Sequence, residues 1–158
     1  MLMSKIRSKN TKPELLLRRE LYARGLRYRI HSKKLPGKPD VSVEKYKLIV
    51  EVRGCFWHGH TNCKNGHFPK GNNQYWTNKI RSNRERDLKN LAKLESLGYK
   101  TFEVWECETK NKALLSCNVS AIFDYLVRAQ NFKKHVTDNG SLKLELLPYA
   151  IVCIDSTK

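Results

Sequence analysis

Residues 53–63 read Arg-Gly-Cys-Phe-Trp-His-Gly-His-Thr-Asn-Cys, so Cys55, His58, His60 and Cys63 place two thiols and two imidazoles within nine positions. Thiolate and imidazole together select Zn²⁺ in a tetrahedral site. Closing all four around one ion demands a very tight coil. Cys55, His60 and Cys63, completed by the distant Cys107, make a more relaxed shell and leave His58 for other work; His58 in place of His60 is the alternative. A second set of ligands lies upstream. Asp40 follows Pro39, and Glu51, eleven residues on, is followed by Val52 and Arg53. Two carboxylates and a cation suit Mg²⁺-assisted phosphoryl chemistry: the metal polarises a phosphate and activates water, and Arg53 offsets developing negative charge. The bland reading of the same residues is a solvated strand end.

The elements must bring these groups together. "NTKPELLLRRELYARG" predicts a helix, with Thr11 and Glu14 as a capping box, Pro13 in the first turn, Leu17 and Leu21 on the apolar stripe and Gly25 as the stop. "LRYRIH" alternates, predicting a strand with Leu26, Tyr28 and Ile30 inward. "DVSVEKYKLIVEVRG" predicts two short strands around a tight connection near residues 44–46. If they pair antiparallel, Asp40 and Glu51 reach the same end of the sheet, and period-two alternation puts Glu51 and Arg53 on one face. A helix follows from about Tyr75 to Leu97, with Trp76, Ile80, Leu91, Leu94 and Leu97 inward and Gly98 as its stop. "YKTFEVWECE" predicts a strand carrying Cys107 near its end, and "NVSAIFDYLVRAQNF" a helix with Ile122, Tyr125 and Leu126 inward. The sum is an α/β fold, one mixed sheet with helices on its faces, in a single domain spanning residues 1–158.

Totals bound the partners. The chain carries +16 at neutral pH, concentrated as +9 in residues 1–40 and +6 in residues 64–100, while residues 101–158 sum to zero. That concentration predicts a polyanion partner, nucleic acid before membrane, since no strongly amphipathic basic helix with an aromatic face is evident. No run approaches the roughly 18 apolar residues of a membrane span. The basic N-terminal stretch has no apolar region behind it, so no signal peptide is read and a cytoplasmic location is expected. Five cysteines then point to metal or burial before disulfides, with Cys117 and Cys153 as plain buried thiols.

Pro39-Asp40…Glu51-x-Arg53 resembles the signature of the PD-(D/E)xK nuclease superfamily, with Arg where Lys is usual. "LPGKPD", "GCFWHGH…C", "W…KI..N..RD" and "LGYKTFEVWEC" together resemble the very short patch repair (Vsr) endonucleases, which nick DNA beside a T·G mismatch. The resemblance runs from about Met3 to Cys107; residues 108–158 share only helical character. It implies a restriction-endonuclease-like fold with a structural zinc, acting as a monomer on double-stranded mismatched DNA, with mismatch-repair proteins as candidate partners. It assigns Asp40 to the catalytic metal, His58 to catalysis, and Glu14 to the active site. Cys55, His60, Cys63 and Cys107 take the structural zinc. Phe56, Trp57 and Trp76 enter the duplex, and Met3 and Ile6 sit on the N-terminal arm that contacts DNA.

Three departures stand out. The family's Thr-His before Gly-Cys is Val52-Arg53 here, preceded by Glu51 where the family is apolar; the Glu51 side chain, with or without the Val52 carbonyl, is then the expected partner of Asp40. One extra residue separates His60 from Cys63, and the N-terminal arm is short. Several residues keep simpler alternatives: Phe56 and Trp57 as packing over the zinc, Glu14 as a cap, and Arg81, Arg84 and Arg86 as a solvated helix face rather than phosphate contacts. The overall expectation is a Mg²⁺-dependent DNA endonuclease with a structural zinc. Its rivals are a restriction- or homing-type enzyme cutting matched DNA, and a zinc DNA-binding module without catalysis.

Overall fold

A computed structural model describes residues 9–61, 63–67 and 73–138, with side chains described through residue 129. Met3, Ile6 and Cys153 lie outside the described residues. Helix α1 (Lys12–Ala23) begins as expected. Glu14 turns back so that its carboxylate accepts from the Thr11 backbone N–H at 3.3 Å and from Thr11 Oγ1 at 2.8 Å. The helix ends at Gly25, whose φ of +90° carries the chain out of the helical path without the clash a Cβ brings there.

Strands β1 (Val41–Val43) and β2 (Leu48–Arg53) form the expected antiparallel hairpin through a 3₁₀ turn at Glu44–Tyr46. The register pairs Val41 with Val50, so the next rung outward sets Asp40 opposite Glu51. Strand β3 (Lys100–Trp105) pairs parallel to β2, Glu51 beside Glu103 and Arg53 beside Trp105, giving a three-stranded mixed sheet in the order β1-β2-β3. "LRYRIH" forms no strand of its own: it touches the sheet through one bridge, Arg29 to Ser42, and Ile30 is 46% exposed rather than inward. Alternation alone does not make a strand where the chain offers a neighbour only one rung.

Helices cover both faces. Leu17 and Leu21 of α1 meet Val41, Val43, Leu48, Val50 and Val104 on one face, together with Leu115, Val119, Ile122 and Leu126 of α4 (Lys112–Asp138). On the other face Ile49 packs with Leu35, Tyr99 and Leu94 of α2 (Asn73–Ser96). Ile80 and Leu94 are buried as expected, but Leu97 is half exposed, because Gly98 turns the chain before that position reaches the sheet. A short helix α3 (Glu106–Lys110) begins right after β3, its start held by Glu108 Oε2 accepting from the Trp105 N–H at 2.8 Å. Cys107 therefore sits in a helical first turn, not on the strand. α4 starts six residues before Asn118, because Asn111 Oδ1 caps the N–H groups of Ala113 and Leu114. Cys117 is disulfide-bonded rather than a free buried thiol.

Candidate active site and metal centre

The sheet's α2-facing side carries the candidate residues Glu51 and Arg53. Because side chains alternate along a strand, Ile49, Glu51 and Arg53 of β2 share that face, with Thr101, Glu103 and Trp105 beside them on β3. Asp40, one residue before β1, accepts from the Val52 N–H through Oδ2 at 2.9 Å. Burial pushes the Asp40 carboxyl up from its ordinary value, against that hydrogen bond. Burial likewise raises Glu51, and Asp40 nearby adds to the effect, while the Arg53 guanidinium pulls it back down. Two half-buried carboxylates thus share one rung, each made harder to ionise by burial.

Arg53, 8% exposed, faces three carboxylates. Nη2 lies 2.7 Å from Glu51 Oε2, Nη1 lies 3.1 Å from Asp87 Oδ1, and Nε and Nη2 donate to Glu103 Oε1 at 3.0 and 2.8 Å. Burial works to lower its pKa, but the three anions outweigh that and raise it. Asp87 Oδ2 in turn meets His58 Nδ1 at 2.5 Å. A carboxylate only accepts, so Nδ1 carries the proton and Nε2 presents the lone pair. Burial tends to raise Asp87, yet the His58 hydrogen bond and the Arg53 charge hold it below the usual carboxylate value. An unbroken line of contacts therefore joins Asp40, through Val52, Arg53 and Asp87, to His58. A cavity of about 380 Å³ opens beside it, with Arg53, His58, Asp87 and Glu103 in its lining.

Asp40 has a second set of neighbours. Its Oδ1 lies 3.9 Å from His31 Nδ1, and Glu14, His31 and Asp40 offer ligand atoms within 4.8 Å of one another. The buried Arg18 already supplies a cation there: Nη2 is 2.7 Å from Glu14 Oε2, 3.1 Å from His31 Nε2 and 3.4 Å from the Asp40 carbonyl. Arginine only donates, so His31 Nε2 accepts and its Nδ1–H faces Asp40. Glu14 is thus a cap, an ion-pair partner of Arg18 and a neighbour of Asp40 at once.

The cysteine–histidine cluster closes as the relaxed arrangement requires. Cys55, His60, Cys63 and Cys107 bring their ligand atoms within 4.8 Å of one another. Cys55 Sγ and Cys107 Sγ each stand 3.5 Å from His60 Nδ1. Zn–S and Zn–N bonds of ordinary length at a tetrahedral angle give an S···N edge of about 3.6 Å, so these donors fit Zn²⁺. Trp105 stacks on the His60 ring at 4.0 Å and 5°. Burial pushes the Cys55 thiol up to about 12, and raises Cys107 too, so as thiols these groups hold their protons at neutral pH. His58, turned to Asp87, is separate from this cluster.

Phe56, Trp57 and Trp76 gather edge to face, Phe56 lying 5.3 Å from Trp57 and 5.0 Å from Trp76, with the more exposed Tyr75 5.0 Å from Trp76. α2 grips the loop from behind: Asn83 Nδ2 donates to the Trp57 carbonyl, and Arg84 donates to the carbonyls of His58 and Gly59. Arg84 is therefore tied to the loop, while Arg81 and Arg86 pair loosely with Glu85 and Asp87. Sequence reasoning gave no role to Asp87, Arg18, His31 or Glu103. Asp87 had a usable signal: it falls on the inward stripe Ile80, Asn83, Asp87, Leu94, where a carboxylate needs a partner.

Comparison with known proteins finds relatives of this chain. The family described as "DNA mismatch endonuclease Vsr" matches residues 1–65. The type II nicking enzyme V.NmeAIP of Neisseria meningitidis is 53% identical over 112 residues, 71% of this chain and 79% of that protein. The type II nicking enzyme V.XorIIP of Xanthomonas oryzae pv. oryzae is 42% identical over 123 residues, 78% and 90% of the two chains. The DNA mismatch endonuclease Vsr of Escherichia coli is 34% identical over 114 residues, 72% of each. By its identity to these relatives over more than two thirds of their length, this chain belongs to the Vsr family of DNA endonucleases.

Proposed function

We propose that this endonuclease nicks double-stranded DNA at or beside a T·G mismatch, uses Mg²⁺ for hydrolysis, and is braced by a structural Zn²⁺. The observation that carries the reading is the line of contacts from Asp40 through Arg53 and Asp87 to His58, which joins a carboxylate pair to an oriented imidazole. The ligands for Mg²⁺ are the Asp40 and Glu51 carboxylates, with the Val52 carbonyl available beside them; hard oxygen donors with burial-raised pKa values fit a hard divalent ion. When bound, that ion supplies Lewis-acid polarisation of the phosphate and neutralises developing charge. His58 Nε2 takes a proton from water as the water oxygen bonds to phosphorus, and Asp87 stabilises the imidazolium that forms. The P–O bond to the neighbouring nucleotide breaks, and its oxygen leaves with a proton from solvent. Cys55, His60, Cys63 and Cys107 hold the zinc. Those four ligands tie the His58 loop to the start of α3 through Cys107, and Phe56, Trp57 and Trp76 form the wedge that unstacks the weakened step.

The test is strand cleavage on paired duplexes that differ only by a T·G mismatch, with Mg²⁺ present. Nicking of the mismatched duplex in one strand, lost in Asp40→Ala, is the expected result. Absence of cutting on every duplex, unchanged by Asp40→Ala, rejects it. Two observations favour a second reading: Glu51 and Arg53 restore a restriction-type set, and five relatives bear the name type II nicking enzyme. Equal cutting of matched DNA selects that reading.

A further inference from the structure

Arginine has five N–H groups, and those of Arg53 face Glu51, Asp87 and Glu103. A guanidinium committed to three carboxylates is poorly placed to clasp a phosphate as well. It is well placed to fix two catalytic halves relative to one another, because its planar fork has a defined angle between donors. Glu51 belongs to the carboxylate pair and Asp87 orients His58, while Glu103 touches Arg53 from the neighbouring strand and is the most exposed of the three, with a side chain 42% exposed.

We propose that Arg53 is a positioning residue rather than a phosphate contact, and that Glu103 acts through it as a holding carboxylate that keeps Arg53 on Asp87 when Glu51 turns to the metal. The inference rests on the reading of Asp40 and Glu51 as metal ligands. Arg53 and the divalent ion compete for Glu51. Glu103, bonded by both Nε and Nη2, weakens Arg53's claim on Glu51 without releasing Asp87. Glu103 therefore favours metal binding indirectly, and its influence depends on the arginine being present.

A double-mutant cycle separates this from simple proximity of charge. Mn²⁺ binding is measured by electron paramagnetic resonance on zinc-loaded protein without DNA, for wild type, Glu103→Gln, Arg53→Met and the double variant. Glu103→Gln is expected to weaken Mn²⁺ binding about fivefold in the wild-type background and less than about twofold in the Arg53→Met background. Arg53→Met alone tightens Mn²⁺ and lowers kcat on DNA by about 100-fold, with the salt dependence of DNA binding unchanged. Arg53→Lys restores Mn²⁺ affinity to near wild type but not kcat, since an ammonium cannot pin two carboxylates. Arg53→Leu replaces Arg53→Met as the second background if that variant fails to fold. An equal effect of Glu103→Gln in both backgrounds overturns the proposal, as does a salt slope reduced by about one in Arg53→Met, the mark of a lost phosphate contact. Asp40→Ala is the control: if it abolishes Mn²⁺ binding while the cycle shows no coupling, the metal site stands and only the Arg53 proposal falls. If it leaves Mn²⁺ binding intact, both fall.

Discussion

At His58, tautomer matters as much as position. Asp87 accepts from Nδ1, which leaves Nε2 as the basic nitrogen; Asp87→Asn lets the amide donate to Nδ1 and puts the proton on the wrong atom. We expect Asp87→Asn to lower kcat by about 10³- to 10⁴-fold while DNA affinity measured by anisotropy stays within about twofold. Loss of affinity in place of kcat would assign Asp87 to DNA binding. Asp40 carries the opposite stability sign from most acidic residues. Burial raises its folded pKa, so the folded protein binds this proton more tightly than the unfolded chain. Its contribution therefore favours folding as pH falls through the raised folded pKa, and levels off below the ordinary carboxylate value. At neutral pH without Mg²⁺ the charge opposes folding, and Asp40→Asn should stabilise the protein by about 1 kcal/mol while abolishing cleavage. Thermal melts at pH 5 and pH 7.5 check the sign: the gain should be larger at the higher pH. A gain that grows toward acid contradicts the assignment.

The elements act as a frame with the loop of residues 54–61 stretched between them. β1 and β2 set Asp40 against Glu51 by register, and α2 supplies Asp87 while gripping the loop through Asn83 and Arg84. The cysteine–histidine cluster ties that loop to the start of α3 through Cys107. A zinc site adds its binding free energy to folding, so Cys107→Ser should reduce bound zinc from about one per chain and lower the melting temperature by more than about 5 °C. Metal analysis with a melt decides it; a variant that keeps both its zinc and its melting temperature removes Cys107 from the shell. Element by element, the hairpin and its register were legible because the valine and isoleucine runs alternate about a fixed turn. The strand assigned to "LRYRIH" was not, since alternation describes one strand and a ladder needs two. The early start of α4 was missed because its signal is one side chain, Asn111, that only the folded backbone shows to be a cap.

Over the whole molecule the charge is uneven, and the basic excess of residues 1–100 accompanies the site while residues 101–158 are neutral. Among the described residues no helix is long and apolar enough to cross a membrane. Contacts between the basic side chains and phosphates release counterions, so DNA affinity should fall linearly in log–log terms with salt, with a slope of magnitude about 4 or more. Filter binding between 50 and 300 mM salt measures it; a slope near zero would deny the basic surface any part in binding.

Composition and local pattern by themselves determined the candidate ligand residues, soft thiolate and imidazole donors in one cluster and hard carboxylates in the other, and the family resemblance. These depend on residue type and short spacing, which survive in one dimension. Tertiary structure alone decided which histidine meets Asp87 and what Arg53 touches. His58 and His60 are two residues apart and chemically identical; Asp87 and Cys107 distinguish them from 29 and 47 residues away. Likewise the three carboxylates around Arg53 come from β2, β3 and α2 and share a face only because a parallel strand and a covering helix meet there. Long-range proximity of like side chains is a property of packing, and no local signal encodes it.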